Sequence, residues 1–237
     1  MKNYWKAEAE DFINMKIELI SVIEIEIYIE EIPFPQSGPY WEFADEWEEY
    51  HLLTNAKAGF SNHLKPYSKG SSFYRISDIS DADLLRVIQK EIDRQKDEDH
   101  PEIVELACPL TGGFVLRING ADIYYPQCCG DLSAIECWND LLADEDSYFY
   151  MGHPSPKIIK TEKTVIFDFL NSEIQEHYTP PVKEDQIEID KDALRIALEK
   201  VNQVINNFAK RLVKINEIQN LNIPGIDRIL VYGKNDH

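Results

Sequence analysis

Residues 114–125 read Phe-Val-Leu-Arg-Ile-Asn-Gly-Ala-Asp-Ile-Tyr-Tyr. Two runs rich in β-branched and aromatic residues meet at Asn119-Gly120, a dipeptide that accepts the two positive φ angles of a type I′ turn, so the stretch predicts an antiparallel hairpin. Further strands are expected at 103–107, 148–151, 157–160 and 164–169, with a tight polar turn joining the last two. Helical stretches interrupt these strands without strict alternation. The expected class is therefore α+β, mainly antiparallel sheet with a long N-terminal strand, the central hairpin and about four helices packed on it, rather than a doubly wound parallel sheet.

Upstream, Ile13, Met15, Ile17, Leu19, Ile23, Ile25, Ile27 and Ile29 occupy odd positions, broken by Ser21, while Lys16, Glu18, Glu24, Glu26 and Glu30 fall between them. Period-two alternation of this kind predicts a half-buried strand with its isoleucines inward. Seventeen residues are long for one strand, so a bend or bulge is expected near Ser21. The outward glutamates would discourage edge-to-edge pairing.

After Pro33, Pro35, Gly38 and Pro39, the residues Tyr40, Phe43, Trp47 and Tyr50 recur at helical spacing, with Glu42, Asp45, Glu46, Glu48 and Glu49 among them. Residues 55–75 read as loop. Ser80 is a candidate N-cap with Ile79 and Leu84 at the staple positions, opening a helix to about Arg94 that the charged run 95–100 and Pro101 end. Asp190 should cap a longer helix whose buried face is Leu194, Ala197, Leu198, Val201, Val204, Ile205, Phe208, Leu212 and Ile215. Pro224 and Gly225 follow, and Ile226–Tyr232 reads as a final strand.

A chain of 237 residues buries enough surface to need neither disulfides nor a structural metal. One α+β domain over 1–237 is expected, with 1–58 as an acidic N-terminal strand and helix and 187–237 as a C-terminal helix and strand that could form an appended element. No apolar run reaches transmembrane length and the start turns acidic where a signal peptide needs an apolar core, so no membrane association and a cytoplasmic location are expected. Four irregularly spaced cysteines fit reduced thiols in that compartment.

The formal charge is −19, from 24 basic and 43 acidic side chains. Residues 1–55 carry 13 acids against three lysines, whereas residues 188–237 are nearly balanced. Phosphate binding needs a basic footprint, so nucleic acid is disfavoured as a partner. The acidic excess reads either as a solvated surface or as a face that steers a basic protein partner. In the second case the binding residues would be Trp41, Glu42, Asp45, Glu46, Trp47, Glu48 and Glu49, because aromatic side chains anchor interfaces.

Pro126-Gln127-Cys128-Cys129-Gly130-Asp131 then leads into an amphipathic stretch, Leu132, Ile135, Trp138, Leu141 and Leu142, that Asp131 or Ser133 could cap. A thiol before a helix N-terminus gains thiolate character, which makes Cys129 the best nucleophile candidate, although the Asp131 carboxylate works against it. With no histidine nearby in sequence, His153 or His63 would have to reach Cys129 and Cys128 through the fold. Metal binding would draw on Cys108, Cys128, Cys129, Cys137 and His153, but adjacent cysteines and a gap of eight do not match structural zinc spacing. Small packing residues in a turn are the plainer reading of the two cysteines, with no catalytic residue, metal or cofactor required.

No phosphate loop, dinucleotide fingerprint, His-Glu-x-x-His helix or calcium loop is present. Gly112 and Gly113 read as a turn between strands, and Asp144, Glu145 and Asp146 as a solvated loop.

The segment Pro-Gln-Cys-Cys-Gly-Asp-Leu from Pro126 to Leu132, followed by Trp138, resembles a segment of uncharacterised bacterial proteins, some of them similar to immunity proteins of toxin systems. The resemblance covers Pro109 to Asp146, carries no catalytic residues, and implies a cytosolic protein that binds another protein. Two functions are thus expected: an acidic protein-binding module, immunity-like, facing a basic partner, or a thiol- or metal-dependent enzyme centred on Cys128 and Cys129.

Overall fold

A computed structural model describes residues 15–95, 106–143, 148–172, 174 and 176–234. Among these residues it shows mixed helices and antiparallel sheets, with five α-helices and seven strands. The chain forms two compact units, each from two separate stretches: 1–21 with 113–204, and 22–112 with 205–237.

In the first unit the hairpin forms as its turn chemistry dictates. Strands β3 (Gly112–Ile118) and β4 (Ala121–Tyr124) pair antiparallel, with Asn119 at φ 51° and Gly120 at φ 84°. A register shift between Leu116 and Arg117 bends the ladder. Asn119 exchanges two hydrogen bonds with the Lys16 backbone, donating its N–H to the carbonyl at 2.8 Å and accepting at Oδ1 from the Lys16 N–H at 2.9 Å. Gly112 and Gly113, expected in a turn, open β3 instead.

A short 3₁₀ turn (Leu132–Ala134) follows, capped by Asp131, whose Oδ1 accepts the Ser133 N–H at 2.8 Å. It runs into helix α3 (Ile135–Asp140). Trp138 from this helix is fully buried, stacks edge-on against Phe149 and lies beside Phe167. Its indole N–H reaches the Met151 sulfur at 3.2 Å. That cluster anchors the segment 148–151, which was expected to be a strand. That segment makes no ladder: its Met151 carbonyl accepts the Gln127 N–H, and the isolated bridge of Cys128 with His153 lies just beyond it.

Strands β5 (Lys157–Lys160), β6 (Thr164–Asp168) and β7 (Gln186–Asp190) form an antiparallel sheet in the order β5-β6-β7. β7 escapes a sequence reading because it is only five residues long and runs straight into a helix. Its Ile187 and Ile189 sit opposite Phe167 and Val165. Asp190 ends the strand and caps helix α4 (Lys191–Ile218), accepting the Ala193 N–H at 2.9 Å. The expected face of that helix is buried at every position except Val204, which is half-buried.

In the second unit the last residues of strand β1 (Ile17–Glu24) pair with β2 (Phe73–Arg75), a short strand inside the stretch expected to be loop. The odd-position register holds: Ile17, Leu19, Ser21, Ile23 and Ile25 are buried while Glu26 is exposed. The length does not. β1 runs without interruption through Ser21 and stops at Glu24, the residue opposite Phe73 at the start of β2. Beyond it the backbone turns to single contacts, with the Glu26 carbonyl taken by Lys90 and the Ile27 carbonyl by the Tyr50 hydroxyl. Ile13 lies outside the described residues.

Helix α1 (Ala44–Lys57) starts after Tyr40 and Phe43 and runs further than expected, burying Tyr50, His51, Thr54 and Asn55. Helix α2 (Asp81–Arg94) begins at Ser80, whose Oγ accepts the Asp83 N–H at 3.1 Å. The buried Asp83 carboxylate accepts in turn from Ser80 Oγ, Ser61 Oγ and Ser61 N–H, each at 2.7 Å. Of the strand expected at 103–107, residues 103–105 lie outside the described residues. Leu106 and Ala107 are not in a ladder, and the Ala107 and Cys108 N–H groups donate to Gln95 Oε1.

The expected final strand is a helix, α5 (Ile226–Tyr232), bounded by Gly225 and Gly233, both at φ 61°. Ile226, Ile229 and Leu230 are buried at spacings of three and four, a helical face that β-branched residues disguise. The Leu230 carbonyl, near the helix C-terminus, accepts the Leu110 N–H at 2.9 Å. No described helix is long and apolar enough to cross a membrane.

Candidate functional site

The turn after β4 is held from three directions, all within the first unit. Gln127 Nε2 donates to the carbonyls of Tyr125 at 2.8 Å and Thr179 at 3.2 Å, and its Oε1 accepts the Thr179 N–H at 2.8 Å. The Gln127 N–H donates to the Met151 carbonyl and the His153 N–H to the Cys128 carbonyl, at 3.0 and 2.9 Å. Gly152, at φ 89°, lets these two segments approach: a Cβ there would lie 2.4 Å from the Gln127 carbonyl oxygen and 2.5 Å from that of Cys128.

This close approach brings together residues that are 24 positions apart in the chain. Cys128, Cys129 and His153 can each offer one atom such that all three lie within 4.8 Å of one another. The two sulfurs are 3.7 Å apart, both thiols are reduced, and both cysteines are exposed. Cys129 has φ 64°, and every other described non-glycine residue at positive φ is an asparagine. Residues other than glycine, asparagine and aspartate rarely adopt that backbone, which costs on the order of 1–2 kcal/mol and must be imposed by the surrounding turn.

Glu176, which no sequence pattern marked, completes the group. Its Oε2 lies 2.8 Å from His153 Nδ1, and since a carboxylate accepts, that nitrogen donates and Nε2 is the ring's proton acceptor when the imidazole is neutral. Hydrogen bonding to Glu176, then to Cys129, raises the His153 pKa above its usual value. Reciprocally, hydrogen bonding to His153, then to Cys128, lowers the Cys129 pKa. The arrangement favours a thiolate beside an imidazolium, oriented by a carboxylate.

Two sulfurs and one imidazole nitrogen at these separations also form a donor set that suits a thiophilic ion, with Glu176 where a carboxylate commonly orients such a histidine. Cys137 is outside the group: it is half-buried on α3, and burial pushes its thiol pKa up. Cys108 and His63 belong to the second unit.

His153 stands on the wall of a hollow of about 340 Å³, with Tyr148, Tyr150, Lys157, Asn171 and Ile174 around it. Tyr148 and Tyr150 stack with ring centres 6.1 Å apart. Burial, and then the Cys129 charge, push the Tyr150 pKa up. Glu176 lines a second hollow of about 400 Å³ with Phe169, His177 and Tyr178.

The acidic candidates lie on or just before α1. Glu42, Asp45, Glu46 and Glu49 are exposed, and Glu48 is half-buried. Lys69 pairs with Asp45 and reaches Glu48 at 3.7 Å, while Ser37 donates to Glu46, so part of that charge is answered within the same unit. Trp41 is at the edge of exposure, and Trp47 is half-buried with its indole N–H on the Gly38 carbonyl at 2.8 Å. Leu52 and Leu53, which the sequence reading did not single out, are more than half exposed on the same helix. The acidic run 144–146 lies outside the described residues.

No protein-family model, curated protein or solved structure matches this chain.

Proposed function

We propose that the chain is a thiol-dependent enzyme in which Cys129 is the nucleophile, His153 its general base and acid, and Glu176 the group that orients the imidazole. One observation carries this reading: the fold gathers an exposed thiol, an imidazole and a carboxylate, distant in sequence, in the order that activates a nucleophile. The His153 proton on Nδ1 faces Glu176, so Nε2 is the ring nitrogen able to take the thiol proton and return it to a leaving group. The hollow beside His153 offers aromatic faces and the Lys157 ammonium to the rest of a substrate.

The test is selective alkylation followed by peptide mass spectrometry. With iodoacetamide at pH 7, Cys129 should react faster than Cys108 and Cys137, and His153→Gln should slow Cys129 alone. Equal rates at all cysteines, or a Cys129 rate indifferent to His153, would remove the nucleophile.

A second reading, binding of a basic protein partner through α1, is supported by Leu52 and Leu53 exposed next to Glu48 and Glu49. An acidic rim around apolar anchors is the composition of a docking face. Steering by such charges acts on the association rate and fades as salt rises past roughly 0.15 M. If a co-purified partner shows the same salt dependence with Glu42, Asp45, Glu46, Glu48 and Glu49 neutralised, the helix is only a solvated face.

A further inference from the structure

We propose that the substrate of this site is a hydroperoxide, with Cys129 as the attacking thiol and Cys128 as the thiol that resolves the product. The inference rests on the nucleophilic reading of Cys129 given above. It adds a role for Cys128, which a Cys-His-Glu arrangement does not itself require.

Three observations converge on it. First, the second thiol stands 3.7 Å from the first, already next to the sulfur it would attack. Second, both cysteines are exposed, so a small peroxide reaches either sulfur from solvent while any attached group can lie in the hollow beside His153. Third, the sulfur and the imidazole lie within 4.8 Å of each other, a span in which one peroxide oxygen can meet the sulfur at about 3–3.5 Å while the other accepts from the ring nitrogen.

The chemistry balances as follows. The Cys129 thiolate attacks the terminal oxygen of ROOH, the S–O bond forms, the O–O bond breaks, and His153 delivers its proton to the departing alkoxide to give ROH. Cys129 is then a sulfenic acid. The Cys128 thiol attacks that sulfur, the S–O bond breaks, and the hydroxyl leaves as water with the thiol proton. The product is a Cys128–Cys129 disulfide, and two equivalents of an external thiol reduce it, becoming a disulfide themselves.

Adjacent residues have Cα atoms about 3.8 Å apart, closer than the 4.4–6.8 Å of ordinary bridges. A bridge between them is therefore strained and readily reduced, which suits turnover and not permanent stapling.

The experiment treats the reduced full chain with one equivalent of hydrogen peroxide and reads the intact mass and the peptide spanning residues 126–135. The expected product has lost two hydrogens on that peptide, and dithiothreitol restores them. With no external thiol present, Cys128→Ser should instead halt at a Cys129 sulfenate that dimedone traps, with no two-hydrogen loss on that peptide. Native protein that goes to sulfenate or sulfinate at Cys129 without the two-hydrogen loss overturns the resolving role while the nucleophile stands. A Cys129 that is slow toward both peroxide and iodoacetamide overturns both readings. One equivalent of tightly held zinc in the purified protein, blocking oxidation until it is chelated, overturns the peroxide assignment in favour of a metal centre.

Discussion

Gly152 passes so close to Cys128 that any side chain on it would press a carbon to within 2.5 Å of the Cys128 carbonyl oxygen. The contact joins the segment carrying His153 to the one carrying the thiols. Gly152→Ala adds a Cβ there and also strains a backbone at φ 89°. The expected cost is about 2–4 kcal/mol, read from urea denaturation. Cys129 alkylation should slow in the fraction that remains folded. Unchanged stability together with unchanged reactivity would mean that the two segments are not held as described.

The pH dependence of Cys129 alkylation should have its midpoint below that of an ordinary thiol, since hydrogen bonding to His153 lowers its pKa. Removing that partner with His153→Gln should move the midpoint up, each unit of return cutting the thiolate fraction near neutral pH by about tenfold. Glu176→Gln should lower the His153 pKa, because Glu176 is the first cause of its elevation, and this can be followed by titrating the imidazole resonances. An imidazole that titrates alike with and without Glu176 would leave the carboxylate no orienting role.

His51 should make stability depend on pH. Burial lowers its pKa from 6.5 to about 4, and its Nδ1 has no hydrogen-bond partner among the described residues. Between these values the unfolded chain binds a proton that the folded chain refuses. The contribution of the neutral imidazole is complete above pH 6.5 and is lost as pH falls toward 4, about 3 kcal/mol in all. Denaturation curves at pH 7 and pH 5 should therefore converge in slope and midpoint for His51→Gln more than for the native chain. Parallel pH profiles for the two would show that His51 ionises freely in the fold.

Ile25 and Glu26 report the register of the first strand beyond its end. Ile25 is fully buried, so Ile25→Glu should destabilise by several kcal/mol, whereas the exposed Glu26→Lys should cost on the order of 0.5 kcal/mol. Calorimetric midpoints that fall equally would contradict the burial.

Much of the fold was legible because its signals are local. Asn119-Gly120 encodes its own turn, Ser80 and Asp190 cap the helices they precede, and the odd-position apolar series states which side of β1 is inside. What failed depended on partners. The strand expected to reach Ile29 ends at Glu24, where its pairing with Phe73 of β2 ends, and nothing in the alternation of residues 25–29 announces that loss of partner. Ile226–Tyr232 satisfies strand composition and helical spacing at once, and the glycines at both ends decide for the helix. The site divides in the same way. Cys128 and Cys129 draw attention in any reading of the sequence and His153 could be named as a candidate, but Glu176 sits in a stretch without periodicity or motif. Only the fold puts it beside the imidazole.

The second unit is closed by residues far down the chain. Arg211 donates to the carbonyls of Ile76 and Ile79 and to the Asp81 carboxylate, and Leu230 receives the Leu110 N–H. A ribosome delivers residues 22–112 long before 205–234 emerge. In the interval the α2 region lacks its guanidinium clamp, and the Leu110 N–H lacks the carbonyl that later accepts it. Synthesis paused after residue 204 should leave this stretch sensitive to protease, and release of the completed chain should protect it.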